Sequence, residues 1–313
     1  MVRNESEHVR RVTIPWAVAA IVVFVVVDAV LIWWAVTSLR AEAGDPQGEV
    51  LPTIPPASPG PTTTSEPDAA SSDATPAPII RPTVMLAALD ANVAYRGSTG
   101  TCPGVAASIE VTLDGGATWN AGVTEGLTDL QSLDPSEGEI VTMIARDAAC
   151  TIGRYRSYVL GDDWEGTSEP EPTWYVDGGQ AVAPSGISLP CDGAIAQLAS
   201  TSPTSAAVLC ESGEVLVTSD AGVVWAATAT PVSGAVALAG GPTGYLVAVA
   251  GDGCRGIRIA VVDPAAAAEP QPGACLEADP APGSTAIDVA PDGTLWAWTG
   301  GVLARSANGG ATW

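Results

Sequence analysis

Lysine is missing from the 313-residue chain: all twelve cations are arginines, against 35 Asp and Glu, for a formal net charge of −23. A field of that sign repels nucleic-acid phosphates and anionic lipid, so no nucleic-acid partner is expected. Histidine is nearly missing too. The one residue, His8, lies ahead of a long hydrophobic segment, which leaves the rest without an imidazole for a general base, a Ser-His-Asp triad or a metal site. No Cys-x-x-Cys spacing suggests zinc or thiol redox chemistry, and neither metal nor cofactor is expected. Beyond residue 40 no stretch carries a sustained 3.6-residue apolar period, which argues against helices in the main domain.

What the chain does have begins with WAVAAIVVFVVVDAVLIWW at 16–34, inside an apolar stretch running from residue 14 to 39, long enough to cross a bilayer as a helix. Trp16, Trp33 and Trp34 fall near the expected interfaces. Asp28 in the middle costs about 2.5–3.5 kcal/mol. The Val, Ile, Leu and Phe residues around it offset that with about 3–7 kcal/mol, so insertion wins. Asp28 reads either as a contact to a polar residue of a partner helix or as a tolerated acid. Arg3, Arg10 and Arg11 precede the segment and only Arg40 follows closely, so residues 1–13 are expected in the cytoplasm and everything past the helix outside it, at the cell membrane. The competing reading, a cleaved signal peptide, rests on Ala41-Glu42-Ala43.

Residues 41–82 contain ten prolines and many Ser, Thr and Ala, the composition of a disordered stalk reaching roughly 40 Å as a coil. From residue 83 to 313 the texture changes to short Val, Ala, Leu and Ile runs broken by Gly, Pro, Asp and Asn, which points to an all-β sandwich, barrel or propeller.

An octapeptide recurs in this domain: TLDGGATW at 112–119, TSDAGVVW at 218–225 and SANGGATW at 306–313. Asp114, Asp220 and Asn308 suit acceptors for turn amides, Gly116, Gly222 and Gly310 suit positive φ, and the hydroxyls of Thr112, Thr218 and Ser306 can support the turn. Trp119, Trp225 and Trp313 close each unit with a large apolar side chain. The pattern resembles the Asp-box, or bacterial neuraminidase repeat, of sialidase-like β-propellers. That resemblance implies a propeller with the boxes in the turns between third and fourth strands, and it implies structural rather than catalytic acids. Spacings of 106 and 88 residues leave room for one further blade in each gap. Tyr175-Val-Asp-Gly-Gly and Val261-Val-Asp263-Pro are the degenerate candidates there. Five four-stranded blades result, at 83–121, 126–182, 192–230, 232–270 and 283–313, with a segment near Ile79-Ile80-Arg81 proposed to close the ring.

Six cysteines, Cys102, Cys150, Cys191, Cys210, Cys254 and Cys275, all lie in the exported part, and an even number there implies disulfides. Fifteen pairings are formally open. In the blade scheme all six fall in loops of one face, opposite the boxes, and the scheme predicts Cys102–Cys150, Cys191–Cys210 and Cys254–Cys275.

Sialidase chemistry would require an Arg-Ile-Pro motif, and none of the arginines lies in one. Glycoside hydrolysis in general needs two carboxylates facing one pocket, and Asp90, Asp129 and Asp288 fall near expected inner strands. The leading reading is a non-enzymatic, membrane-anchored binding or scaffold module for an envelope component, glycan or membrane-protein partner, with a glycoside hydrolase as the alternative. Candidate ligand residues are Trp296 and Trp298, which alternate along one strand like a sugar-stacking platform or a core pair. Arg154 with Arg156, and Arg255 with Arg258, are local cationic pairs suited to a carboxylate-bearing ligand or to plain solvation.

Overall fold

A computed structural model describes residues 79–136, 139–168, 174–228, 232–251, 253–262, 273–279 and 281–313. Asp28, the expected helix at 14–39 and the stalk to residue 78 lie outside the described residues. No helix among those described is long and apolar enough to cross a membrane.

The described chain forms six antiparallel sheets met in sequence order, a six-bladed β-propeller. Blade 1 holds β1 (Val84–Ala88), β2 (Ala94–Ser98), β3 (Ser108–Thr112) and β4 (Asn120–Ala121); blade 2 holds β5 (Leu127–Pro135), β6 (Val141–Asp147), β7 (Ile152–Ser157) and β8 (Glu165–Gly166). Blade 3 has only β9 (Tyr175–Asp177), β10 (Gln180–Ala183) and β11 (Gly186–Ser188). Blade 4 contains β12 (Ile195–Ser200), β13 (Ala206–Cys210), β14 (Val215–Thr218) and β15 (Ala226–Ala227). Blade 5 is β16 (Ala235–Gly241), β17 (Gly244–Gly251), β18 (Cys254–Val262) and β19 (Leu276–Glu277), and blade 6 is β20 (Thr285–Val289), β21 (Leu295–Thr299) and β22 (Val302–Ser306).

The blade count corrects the five expected. The stretch 126–182 assigned to one blade holds all of blade 2 and the first strands of blade 3. Strands of three or four residues are too short to show an alternating apolar signal. The Asp177-Gly-Gly turn is the two-residue hairpin between β9 and β10, on the inner side of blade 3, so it is no degenerate octapeptide. The other degenerate candidate ends β18 at Val262, and its Asp263 lies outside the described residues.

The blades are small-residue sheets, and apolar side chains fill the spaces between them. Tyr95, Ile109, Leu130 and Val141 join blades 1 and 2; Leu209, Leu238, Tyr245 and Val247 join blades 4 and 5; Ile257, Ile259, Ile287 and Leu295 join blades 5 and 6. Each large side chain so buried contributes about 1.5–3 kcal/mol.

The ring closes between blades 6 and 1 largely through side chains of blade 6 that grip the β1–β2 turn. Asp288 Oδ2 accepts from Ala88 N at 2.7 Å and Asp292 Oδ2 from Ala91 N at 2.9 Å, while Trp296 Nε1 donates to Asp90 O at 2.9 Å. Arg305 donates to Ala91 O. Outside this grip, the Arg96 guanidinium lies between two indoles, 4.2 Å from the Trp119 ring centroid and 4.5 Å from that of Trp298. The segment at 79–81 takes no part as an outer strand, contrary to the sequence expectation.

Candidate functional site

The octapeptides are hydrogen-bonded turns; the first two join third and fourth strands, and the last follows β22, the third strand of blade 6. In the first, Thr112 Oγ1 donates to Asp114 Oδ1 at 2.9 Å and accepts from Gly116 N at 2.8 Å. Asp114 also accepts from Thr118 N at 2.8 Å and from the Thr118 hydroxyl at 2.7 Å. The second and third turns repeat the pattern: Gly222 N and Gly310 N donate to Thr218 and Ser306, and Val224 N and Thr312 N to Asp220 and Asn308. The bonds from Thr118 and Thr112 pull the Asp114 carboxyl down to about 2, and those from Val224 and Thr218 lower that of Asp220.

A fourth turn escaped sequence reading. Residues 157–164 read SYVLGDDW, and buried Ser157 accepts from Val159 N at 3.2 Å and Gly161 N at 2.9 Å, as its counterparts do. Val159 stands where the acid stands elsewhere, which hid a repeat whose Ser, Gly and Trp spacing is intact. The glycine at the fifth position has φ between 88° and 92° in all four turns. It also abuts the preceding blade: a Cβ on Gly222 would lie 2.8 Å from that of Ala183. The closing indoles bond to the preceding blade as well, Trp164 to Val123 O at 2.8 Å, Trp225 to Ser188 Oγ at 3.1 Å and Trp313 to Ala274 O at 3.0 Å. Trp225 meets Trp174 edge to face at 5.9 Å. These turns therefore serve as spacers between blades.

The opposite face is fastened covalently. Cys102–Cys150 joins the β2–β3 loop of blade 1 to the β6–β7 loop of blade 2. Cys191–Cys210 joins the connection between blades 3 and 4 to the end of β13. Cys254–Cys275 lies within blade 5. The pairs agree with the scheme, but Cys275 stands just ahead of β19 and not in a loop between blades, because the fourth strand begins only at Leu276.

Residues 79–83 cross this face. Ile79 N donates to Glu211 O of blade 4 at 2.8 Å; Arg81 pairs with Asp129 of blade 2 at 3.2 Å; Thr83 N donates to Gly283 O ahead of blade 6 at 2.9 Å. Thr99 Oγ1 of blade 1 donates to Pro82 O at 3.2 Å. Asp129 also pairs with Arg146 at 3.0 Å, and Arg146 reaches Asp177 of blade 3. Five residues thus bind four blades on opposite sides of the ring, and an ionic chain extends the fastening to blade 3.

Behind this strap lies a central channel of about 1100 Å³, lined by the inner strands of all six blades together with Arg81 and Pro82. Pro135, Pro203, Pro242 and Pro291 line it toward the turn face, where the inner strands end. Arg154 and Arg156 of β7 line it too, so three of the chain's twelve arginines meet in one cavity of a strongly anionic protein. Of the three acids expected there, only Asp288 is a wall residue. Asp129 is held by its two arginines, and Asp90 caps a turn by accepting from Asn92 N and Val93 N. Burial pushes the Asp288 carboxyl up to about 6, with Asp134 adding to the rise and the Ala88 and Val289 amides opposing it.

The remaining candidates separate. Trp296 is fully buried and Trp298 packs in the same interblade cluster, so the pair is core and forms no open stacking platform, because their shared face is the one blade 1 covers. Arg255 is an exposed ion pair with Asp279 at 2.7 Å. Arg258, three residues on in the same strand, is partly buried and its Nε finds no acceptor among the described residues; the two do not form one site. Among the described residues no group of three or more His, Cys, Asp or Glu is placed to hold a metal.

No family model matches the chain, and no curated protein matches it. Among solved structures it is similar to YCF48 bound to D1 peptide, at 19% identity over 76% of this chain and 66% of that one, TM-score 0.28. It is also similar to the GH74 xyloglucanase of Xanthomonas campestris, at 21% identity over 73% of this chain and 37% of that one, TM-score 0.31. A third is the SapL1 lectin in complex with alpha methyl fucoside, at 11% identity over 69% of this chain and 72% of that one, TM-score 0.32. The chain thus spans under two thirds of the first two of these proteins.

Proposed function

We propose that this is an Asp-box propeller carried outside the cytoplasm on an N-terminal membrane helix and stalk, and that it acts as a binding module without catalytic turnover. The observation that carries the reading is the channel: Arg154 and Arg156 line a cavity shared by all six blades, in a chain of net charge −23. A planar guanidinium recognises a carboxylate through paired hydrogen bonds. The partner is a protein segment that presents a carboxylate at the proline-edged mouth, since the strap at 79–83 occupies the other one. Photo-crosslinking of the anchored full chain, followed by titration with an acidic peptide and its amidated form, tests this. The acid form should bind, the amidated form should not, and changing Arg154 and Arg156 together to Gln should abolish binding.

A second reading has one observation in its favour. Asp288 keeps its proton to about pH 6, as a general acid would, and Asp134 lines the same channel. A glycoside hydrolase would use these two. Turnover of a fluorogenic glycoside, lost in Asp288→Asn, would replace the binding reading with this one.

A further inference from the structure

A groove of about 930 Å³ opens on the turn face between blades 4 and 5, with the β14–β15 octapeptide turn on one side and the β16–β17 hairpin on the other. A single departure within the repeat sets the chemistry of its wall. At the seventh position of the turn, Thr118 in blade 1 closes off Asp114 Oδ2 with its hydroxyl at 2.7 Å, and Thr312 in blade 6 bonds the corresponding amide of Asn308 at 3.0 Å. In blade 4 that position is Val224, which is 62% exposed. Asp220 Oδ1 is engaged by Thr218 and Val224 N, while no side-chain donor among the described residues reaches Oδ2.

The other walls match this opening. Ser205, Ser219 and Thr243 line the groove with hydroxyls that have no partner among the described residues, and Pro242 and Val224 add apolar surface. There is no cation in the lining. Hydroxyls that both donate and accept, a carboxylate oxygen able to take a diol, and a small apolar face suit a neutral, polyhydroxylated ring. An anionic ligand would meet Asp220 unneutralised.

We infer that the groove between blades 4 and 5 is a binding site for a neutral saccharide, with Asp220 Oδ2 accepting from its hydroxyls. The groove adjoins the channel mouth, sharing Thr201, Ser202, Gly241 and Pro242 with it, but Asp220, Ser219 and Thr243 lie outside the channel lining, so the test does not depend on the channel. The test is isothermal titration of the full chain with maltotriose, cellotriose and mannotriose. At least one should bind one to one with a dissociation constant of about 1 mM or tighter. Val224→Thr restores the hydroxyl that blade 1 carries at this position. It should weaken that binding at least tenfold while leaving the melting temperature unchanged or raised. Thr243→Val, which removes a groove hydroxyl outside the turn, should also weaken it. Absence of binding by all three sugars, or retention of wild-type affinity in either variant, overturns the inference.

Discussion

The two faces of the propeller are built by different chemistry. One is crossed by residues 79–83, carries the Cys102–Cys150 and Cys191–Cys210 bridges, and is laced by the chain of Arg81, Asp129, Arg146 and Asp177. The other consists of turns whose amides are held within the turn by hydroxyl, carboxylate and amide oxygens, with a channel mouth edged by prolines and an open groove beside it. The difference follows from what each face must withstand. The β2–β3 loop of blade 1, residues 99–107, carries one bridge of its own, Thr101 with Val105, and Cys102 ties it to blade 2; a tight eight-residue turn satisfies its amides within itself. The face that is fastened is also the one residues 79–83 cross, and the turn face is the one proposed to meet the partner.

The largest way to break this contrast is to cut the fastening. Replacing Cys102 and Cys150 with serine opens a link 48 residues apart in sequence and should cost about 4 kcal/mol, read as a lower urea midpoint. Blades 1 and 2 should lose amide protection first.

Next is the channel wall between the faces. Asp288 has a raised folded pKa, so its ionisation opposes folding. The penalty is absent below about pH 4, grows between pH 4 and 6, and is complete above that. Unfolding free energy should therefore fall by up to about 3 kcal/mol across that window. Asp288→Asn should remove the slope and stabilise the protein at pH 7. Asp114 works in the opposite sense: its pKa of about 2 makes its contribution vanish only as the pH drops below about 4, so the two groups together favour pH 4–5.

On the turn face, Ser157→Ala leaves the buried Gly161 amide and the part-buried Val159 amide without their acceptor and should cost about 1–3 kcal/mol. A null effect would mean that the turn at 157–164 is not the fourth member of the repeat. The smallest stability change belongs to Arg81→Ala, because Arg81 is 43% exposed and such pairs contribute about 1 kcal/mol or less. Its informative readout is access. Hydrogen exchange at 79–83 should quicken while the blades stay protected.

Much of this was legible in the sequence. Three octapeptides with a closing tryptophan pointed to a propeller, and the blade scheme placed the six cysteines in the three pairs observed. Blade 3 was not legible, since strands such as Tyr175–Asp177 carry too few residues for periodicity, and the turn at 157–164 was hidden by one substitution at Val159. Ring closure was hidden for another reason. It depends on contacts between residues some 200 positions apart, such as Ala88 with Asp288, and no local pattern encodes them. Trp296 and Trp298 were correctly placed on one face, but only the assembled ring decides that blade 1 covers it. Arg154 and Arg156 read as a pair on β7, and the channel they line exists only once six blades meet.

The most direct test of the account is to ask which face meets the partner. A photo-reactive residue placed at Pro203 on the turn-face mouth, and another at Val105 on the strapped face, can be compared in the full-length protein under identical illumination. The account predicts capture of a protein partner from position 203, lost when Arg154 and Arg156 are changed to glutamine, and none from position 105. Capture from position 105 alone would contradict it.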